Sequence, residues 1–373
     1  MKVLFLYLKA FSFTGGIEKF NRSFLKALHE LSVDGFFDAG AISAYDSVSD
    51  EKYFASQRFL GFRGARPVFA LVSLIKALRY EMVVIGHINL AIIGCMIKWV
   101  RPNIRLVLIA HGIEVWQEMT GYKKKLLERA DIVLAVSNFT KEKLTKFNSQ
   151  IDPTKIRIFP NTIDPYVIPP KEFIKPAYLL TRYGVLPNDP IVLTVSRLAS
   201  SERYKGYDGI IKLMPELLKM YPHLKYFICG NADTKERGRI EAMIEYYKVS
   251  HAVVLTGFVK DSELTDHYLL ADLFVMQSKK EGFGIVFIEA LACGRKVIAG
   301  NKDGSVDALA GGTLGTLIDP DQPDELKTAI LNGLAVRGHR PEKLRDRVID
   351  LFGFSAYKRR LGAYLIGPIA DQE

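Results

Sequence analysis

At 373 residues the chain is too long for one ordinary core and reads as two domains of α/β size. A hydrophobic content of 49% and a charged content of 25% argue against a disordered or fibrous chain, and 51 Lys and Arg against 41 Asp and Glu leave a net charge of +10. Some face should therefore attract anions, whether nucleic acid, an anionic membrane or phosphorylated substrates. Cys95, Cys229 and Cys293 lie far apart in apolar settings, which argues against a CxxC metal site or a disulfide framework and makes a reducing cytoplasm the expected location.

The N-terminal run Met1 to Leu8 leads into a glycine loop and not a small-residue cleavage site, so Val3 to Leu8 reads as a first strand and not a signal peptide. Gly15-Gly16 and a helix from about Ile17 to Leu31 follow. A glycine pair there lets backbone approach a ligand and leaves helix N–H groups facing it, although glycines also simply make turns. Residues 34 to 66 lack a clear period and read as loops and short strands. From Pro67 the pattern steadies into a helix to about Leu78, strand Met82 to Ile85, helix Leu90 to Val100 and strand Arg105 to Ala110. Met82 to Val100 is the most membrane-like stretch, but His87, Asn89 and Lys98 interrupt it, and a buried strand plus helix explains it better than a span.

Alternation of strands and helices predicts a parallel, doubly wound sheet. His111 ends a strand, where such sheets place ligand-binding groups; a structural hydrogen bond is the competing reading. A helix from Tyr122 to Arg129 carries Lys123, Lys124 and Lys125, and the next bears Lys141, Lys143 and Lys146. These lysines are either a solvated surface or a patch that lies on anionic lipid. No nucleic-acid signature accompanies them: basic residues do not interleave with aromatics, and no helix-turn-helix or RNA-binding motif is visible.

A strand from Lys155 to Phe159 ends in Pro160-Asn161-Thr162-Ile163-Asp164, and the proline-rich stretch Pro165 to Pro176 marks a domain boundary. The second half repeats the alternation: strand Ile191 to Val195, Ser196-Arg197, a polar loop with Lys205-Gly206, helix Tyr207 to Met220 and strand Lys225 to Cys229. A helix from about Lys235 to Tyr247, strand Val253 to Leu255 and helix Asp261 to Leu270 come next. Strand Ala271 to Ser278 then leads through Glu281-Gly282-Phe283-Gly284 into helix Ile285 to Ala292, which holds Glu289, and strand Lys296 to Ala299. A loop before a helix start at the carboxyl edge of a sheet favours an anion, while carboxylates accept hydrogen bonds from hydroxyls. A ligand with both, a sugar nucleotide, suits the combination; a helix with one acid for its dipole and one in the loop by chance is the bland reading.

Taken together these residues resemble the retaining glycosyltransferases of family 4. The resemblance spans nearly the whole chain through Gly15-Gly16, Ala110-His111-Gly112, Pro160 to Asp164, Ser196-Arg197-Leu198, Lys205-Gly206, Gly257-Phe258-Val259, Glu281 to Glu289 and Phe354-Ser355. It implies an α/β protein with the GT-B fold, two Rossmann-like doubly wound parallel-sheet domains facing a central cleft. The first would span residues 1–168, with a C-terminal helix, 351–373, crossing back to it, and the second residues 169–350. By the same resemblance Arg197 and Lys205 would hold the donor diphosphate together with backbone at Gly15 and Gly16, and Glu289 would accept from the ribose. Glu281 would face the donor sugar, His111 would stand beside it, N–H groups of Phe283, Gly284 and Ile285 would lie near sugar or phosphate, and backbone around Val259 would read the base. Where many members carry a Gly-Gly pair followed by a glutamate, this chain has Asn301 to Asp307, and no role is carried over there.

The implied function is transfer of a hexose, with retention, from a nucleoside-diphosphate sugar to a hydroxyl of a saccharide or lipid-linked acceptor in envelope polysaccharide or glycolipid synthesis. UDP-sugar, UDP-glucose foremost, is the favoured donor, with GDP-mannose as the other. By the same resemblance the basic pair Arg197 and Lys205 can replace a divalent ion at the diphosphate, so neither metal nor cofactor is expected. A cytoplasmic protein, peripheral on an anionic membrane through its basic first domain, is the implied location. The rival readings are a sugar-nucleotide 2-epimerase, a pyridoxal-dependent phosphorylase and a non-catalytic sugar-nucleotide-binding subunit.

Overall fold

The computed structural model describes residues 1–12, 14–336 and 338–367, which divide into two compact units, Met1–Tyr166 with the chain from Phe352 onward, and Val167–Leu351. In the first unit β1 (Lys2–Tyr7), α1 (Gly16–Val33), β2 (Asp38–Ser43) and β3 (Phe59–Gly61) precede α2 (Arg66–Ala77) and β4 (Met82–Ile85). Next come α3 (Ala91–Val100), β5 (Arg105–Ala110), α4 (Gly121–Arg129), β6 (Ile132–Ala135), α5 (Asn138–Phe147) and β7 (Ile156–Ile158). All neighbouring strands pair in parallel, in the order β3-β2-β1-β4-β5-β6-β7. Continuous apolar runs such as Met82-Val83-Val84-Ile85 form these strands because both faces of a parallel sheet are covered by helices.

One sheet face packs Leu4, Leu6, Val83, Ile85, Leu106 and Leu108 under α2, α3 and α4. On α1, Phe20 and Phe24 join Phe5 and Phe159 in a cluster of aromatic contacts that Tyr357 completes, 4.4 Å from Phe159 between ring centres.

The second unit holds α6 (Ala177–Tyr183), β8 (Ile191–Val195), α7 (Tyr207–Met220), β9 (Lys225–Cys229), α8 (Thr234–Tyr246), β10 (Val253–Gly257) and α9 (Asp261–Leu270). After these come β11 (Leu273–Met276), α10 (Ile285–Ala292), β12 (Lys296–Gly300), α11 (Ser305–Ala308), β13 (Thr316–Ile318), α12 (Pro323–Ala335) and α13 (Pro341–Phe352). Its strands are also parallel, in the order β10-β9-β8-β11-β12-β13. The chain ends in α14 (Phe354–Leu365), which belongs to the first unit: Lys358 pairs with Glu30 at 3.0 Å and Asp34 at 3.3 Å, and Arg105 donates to the carbonyl of Leu365 at 2.7 Å. Residues 368–373 of the C-terminal helix expected over 351–373 lie outside the described residues.

The sequence reading assigned no strand or helix between Ala299 and Phe354, where α11, β13, α12 and α13 lie, and two further elements depart from it. Helix α6 was not expected; it follows Pro176 and stops at Gly184 in the left-handed region, signals that only seven residues separate. The strand expected over Ala271 to Ser278 shortens to β11, because Asp272 accepts from Ile191 N and Lys175 Nζ at one end and Gln277 turns toward Gly206 at the other. No described helix is long and apolar enough to cross a membrane.

Candidate active site

In an open doubly wound sheet, ligands bind beyond the carboxyl ends of the strands where the order reverses. In the second sheet that point lies between β8 and β11, since the chain runs from β8 out to β9 and β10 and returns to β11 on the other side. Arg197 follows β8 and Glu281 follows β11, so topology alone brings both loops to one place. Lys205, in the last residue of a single 3-10 turn, ion-pairs with the Glu281 carboxylate, and both side chains are largely buried. Burial alone lowers an ammonium, but the charge and hydrogen bond of Glu281 outweigh it, and Lys205 is held above its ordinary value. One of its three N–H groups is directed at Glu281.

One backbone and one side-chain hydrogen bond lock the loops together. Lys279 N donates to the Tyr204 carbonyl at 3.0 Å, and Gln277 Nε2 donates to the Gly206 carbonyl at 3.1 Å. Gly206 has φ +87°, and a Cβ there would come within 2.7 Å of the Gln277 carbonyl oxygen, so a larger residue would displace Lys205. Arg197 is 58% exposed and bonds Glu202 at 2.5 Å. Its guanidinium is the exposed member of the cationic pair, and the Lys205 ammonium the buried one.

Helix α10 starts at Ile285, with Gly284 as its N-cap and Phe283 buried before it. Its N–H groups lie beyond the carboxyl end of β11, on the Glu281 loop. One turn on, Glu289 is buried and accepts a hydrogen bond from Tyr268 Oη on α9 at 2.8 Å. Burial and the Glu289 charge hold the Tyr268 phenol well above its ordinary value, so it is a permanent donor that orients the carboxylate.

The unassigned stretch from Asn301 to Asp307 supplies the support beneath Glu281. Buried Asp303 accepts from Glu281 N at 2.7 Å and from Ser305 N at 2.9 Å. Burial pushes its carboxyl up to about 6 against the opposing effect of those bonds. Gly304 N donates to the Glu281 carbonyl at 2.8 Å, and a Cβ on Gly304 would sit 2.1 Å from the Gly282 carbonyl oxygen. Asp303 and Gly304 thus brace the Glu281 loop from this side.

The first sheet reverses between β1 and β4. Beyond β1, buried Asp46 accepts from Ala10 N, Phe11 N and Ser12 N at 2.7, 3.1 and 2.9 Å, fixing the loop that precedes the glycine pair. Gly15 is extended, with φ −168°, and Gly16 begins α1, so neither backbone conformation demands glycine. A Cβ on Gly16 would meet open space, whereas one on Gly15 would meet the Glu18 carboxylate, which folds back over the helix start and lies 3.4 Å from Lys9. A carboxylate therefore already stands near the N–H groups that the sequence reading gave to phosphate.

His111, past β5, is buried edge-on to Phe20, with 4.8 Å between ring centres, and its Nε2 lies 2.8 Å from the Gly86 carbonyl. The carbonyl can only accept, so Nε2 carries the hydrogen and Nδ1 keeps its lone pair. Burial pushes the imidazole down to about 4, so the ring is neutral near pH 7 and acts as an acceptor. His87 follows β4, 6.0 Å from His111 between ring centres, and is likewise pushed down to about 4 by burial and its neighbour. Its Nδ1 accepts from Asn89 N at 3.0 Å, which places the hydrogen on Nε2.

Arg197, Lys205, Glu281, Phe283, Gly284, Ile285 and Glu289 thus cluster around one switch point in the second unit. Val259 lies just past β10, two strands from β8, and Gly15, Gly16 and His111 belong to the first unit. Sequence reasoning missed Asp303, Tyr268, Asp46 and His87. The first two act through residues that it did single out, and His87 had a signal: a polar residue at the end of an apolar strand.

Comparison with known proteins agrees with this geometry. Residues 14–166 match the model of the "Glycosyltransferase Family 4" domain and residues 182–350 that of "Glycosyl transferases group 1". Among curated proteins, the GDP-mannose-dependent alpha-(1-6)-phosphatidylinositol monomannoside mannosyltransferase of Mycolicibacterium smegmatis is 32% identical over 62% of this chain and 61% of its own length. The GDP-mannose-dependent monoacylated alpha-(1-6)-phosphatidylinositol monomannoside mannosyltransferase of Corynebacterium glutamicum is 24% identical over 94% of this chain and 88% of that one. A D-inositol 3-phosphate glycosyltransferase of Segniliparus rotundus is 28% identical over 65% of this chain and 52% of that one. The chain thus spans less than two thirds of the length of the Mycolicibacterium relative and about half that of the Segniliparus one. Two solved structures share the fold: a Rickettsia africae glycosyltransferase, with TM-score 0.76 at 21% identity over 96% of both chains, and an Anabaena protein in complex with UDP and glucose, with TM-score 0.76 at 18% identity over 98% of this chain and 99% of that one. With both of its Rossmann-like units matched in chain order, the protein belongs to the GT-B glycosyltransferases of family 4.

Proposed function

We propose that the protein transfers a hexose, with retention, from a nucleoside-diphosphate sugar to a hydroxyl of a saccharide or lipid-linked acceptor. The observation that carries this reading is the meeting of a fixed ammonium, Lys205, a carboxylate, Glu281, and the α10 N-terminus at the switch point of the second sheet. A diphosphate gains negative charge as the glycosidic bond stretches, so cations and N–H groups held in place beforehand stabilise the transition state more than the ground state. Lys205 and the α10 N–H groups serve that role, with Arg197 closing on the phosphates from its exposed position. Glu289, oriented by Tyr268, accepts from the ribose hydroxyls, and Glu281 accepts from the sugar.

The acceptor hydroxyl attacks from the face that the diphosphate leaves, and a phosphate oxygen takes its proton. Neither glutamate is assigned as a nucleophile, since the family resemblance gives both of them binding roles. The cationic pair takes the place of a divalent ion.

The donor preference moves from UDP-glucose toward GDP-mannose, because the Mycolicibacterium and Corynebacterium relatives are named for that donor. Their names also favour a glycolipid acceptor over a soluble saccharide. The test is incubation with GDP-mannose or UDP-glucose and a phosphatidylinositol mannoside, followed by NMR of the product. An α-linked mannoside formed in the presence of chelator supports the reading; a β-linkage overturns retention, and activity restored only by magnesium overturns metal independence.

A further inference from the structure

Helices α2, α3 and α4 cover one face of the first sheet and pack against one another through inward residues such as Phe69, Cys95 and Leu126. Their outward sides are not those of an ordinary solvated surface. On α2, Val68, Leu71 and Ile75 are exposed at spacings of three and four residues, with Leu78 at the helix end, which aligns them in one stripe. Neighbouring α3 repeats this with Ile92, Met96 and Trp99, and Val100 beside them. Leu71 is 59%, Ile92 54% and Trp99 76% exposed. Single exposed apolar residues are normal in a soluble protein, whereas two parallel stripes on adjacent helices form a patch that marks an interaction surface.

Charge identifies what covers it. The three helices together carry seven Lys and Arg against the single acid Glu128. Exposed Lys76 and Arg79 lie at the end of the α2 stripe, and exposed Lys124, Lys125 and Arg129 border the α3 stripe on α4. Apolar crests topped by a tryptophan and flanked by cations match the boundary of an anionic bilayer, where the ring settles at headgroup depth and the cations meet lipid phosphates.

We propose that the outer face of α2 and α3 inserts into the headgroup layer of an anionic membrane, with α4 as its electrostatic rim. This differs from attraction by lysines alone, because apolar burial provides a part that salt does not screen. It does not depend on the identity of the donor, and its test does not use catalysis.

The full chain is mixed with vesicles of equal parts phosphatidylcholine and phosphatidylglycerol, or of phosphatidylcholine alone, and sedimented. Protein is expected to co-sediment with the anionic vesicles and much less with the neutral ones. Leu71→Gln with Ile75→Gln, and separately Trp99→Ser, should each weaken binding by about tenfold or more, since each removes an apolar group from the inserted layer. All these side chains are exposed, so thermal unfolding midpoints should be unchanged and donor binding retained. In a Trp116→Phe background, which leaves Trp99 as the sole tryptophan, emission should shift to the blue on adding anionic vesicles. Equal sedimentation of wild type and both variants, equal binding to the neutral vesicles, or no emission shift would overturn the proposal. So would a wild-type dimer, seen by sedimentation velocity, that the substitutions convert to monomer, since the face would then cover a second copy.

Discussion

Lys205 and Glu281 form a buried ion pair at the switch point of the second sheet, and the geometry of the pair follows from backbone contacts on either side of it. Gly206 sits against Gln277 behind Lys205, and Gly304 sits against Gly282 behind Glu281. The ammonium is therefore placed before any ligand arrives, which is the condition under which a cation lowers a barrier and does not merely bind.

Replacing Lys205 with Ala should reduce kcat/KM by about a hundredfold or more, the magnitude that loss of one preorganised electrostatic group produces. Steady-state kinetics with circular dichroism checks this. Turnover within a few-fold of wild type in a folded variant would remove Lys205 from the phosphate site.

Tyr268 offers a subtler test, because it would act on the proposed ribose contact only through Glu289. Tyr268→Phe keeps the ring and removes one hydrogen bond, a net effect of about 1 kcal/mol, so nucleotide affinity should fall by about fivefold. Glu289→Gln should weaken it further by calorimetry. If Tyr268→Phe weakens binding while Glu289→Gln does not, the ribose assignment is wrong.

Asp303 gives a pH dependence. Its carboxyl is raised from the usual aspartate range to about 6, so its stabilising contribution is fully present at low pH and is lost as pH rises through about 6. Donor binding should run the opposite way. Protonated Asp303 can no longer accept from both Glu281 N and Ser305 N, so affinity should drop as pH falls through about 6. Asp303→Asn should show weakened binding and lose that step; an unchanged step would place the titrating group elsewhere.

The two histidines shift in the other sense. His111 and His87 are both pushed down to about 4, so between the ordinary imidazole value and about 4 the unfolded chain binds more protons than the folded one, and stability should fall as pH falls across that window. The decline of the unfolding midpoint should be shallower in His111→Phe. A decline as steep as that of wild type would show that His111 is not held neutral in the fold.

Much of this was legible in the sequence, for identifiable reasons. Strands such as Arg105–Ala110 and Ile191–Val195 were readable to the residue, because buried parallel strands are unbroken apolar runs between polar turns. Glu281 and Glu289 stood out as two carboxylates bracketing a glycine-bearing loop and an apolar helix start, but their roles, and that of Lys205, came from the family resemblance and not from the pattern alone. Asp303 and Tyr268 were not legible: each acts through a partner about twenty residues away, and only folding defines that distance. Gly15 and Gly16 were noticed as glycines, but their conformation is open to other residues, and the carboxylate of Glu18 over the helix start is a side-chain placement that spacing does not reveal.

The central claim is that the switch point of the second sheet holds a nucleoside diphosphate. Calorimetric titration of GDP and UDP into wild type and Lys205→Ala tests it most directly. The account predicts saturable binding of at least one of them by wild type and about tenfold or greater weakening in the variant, as expected for losing a charge-assisted bond to phosphate. Equal affinity in the two proteins would contradict it.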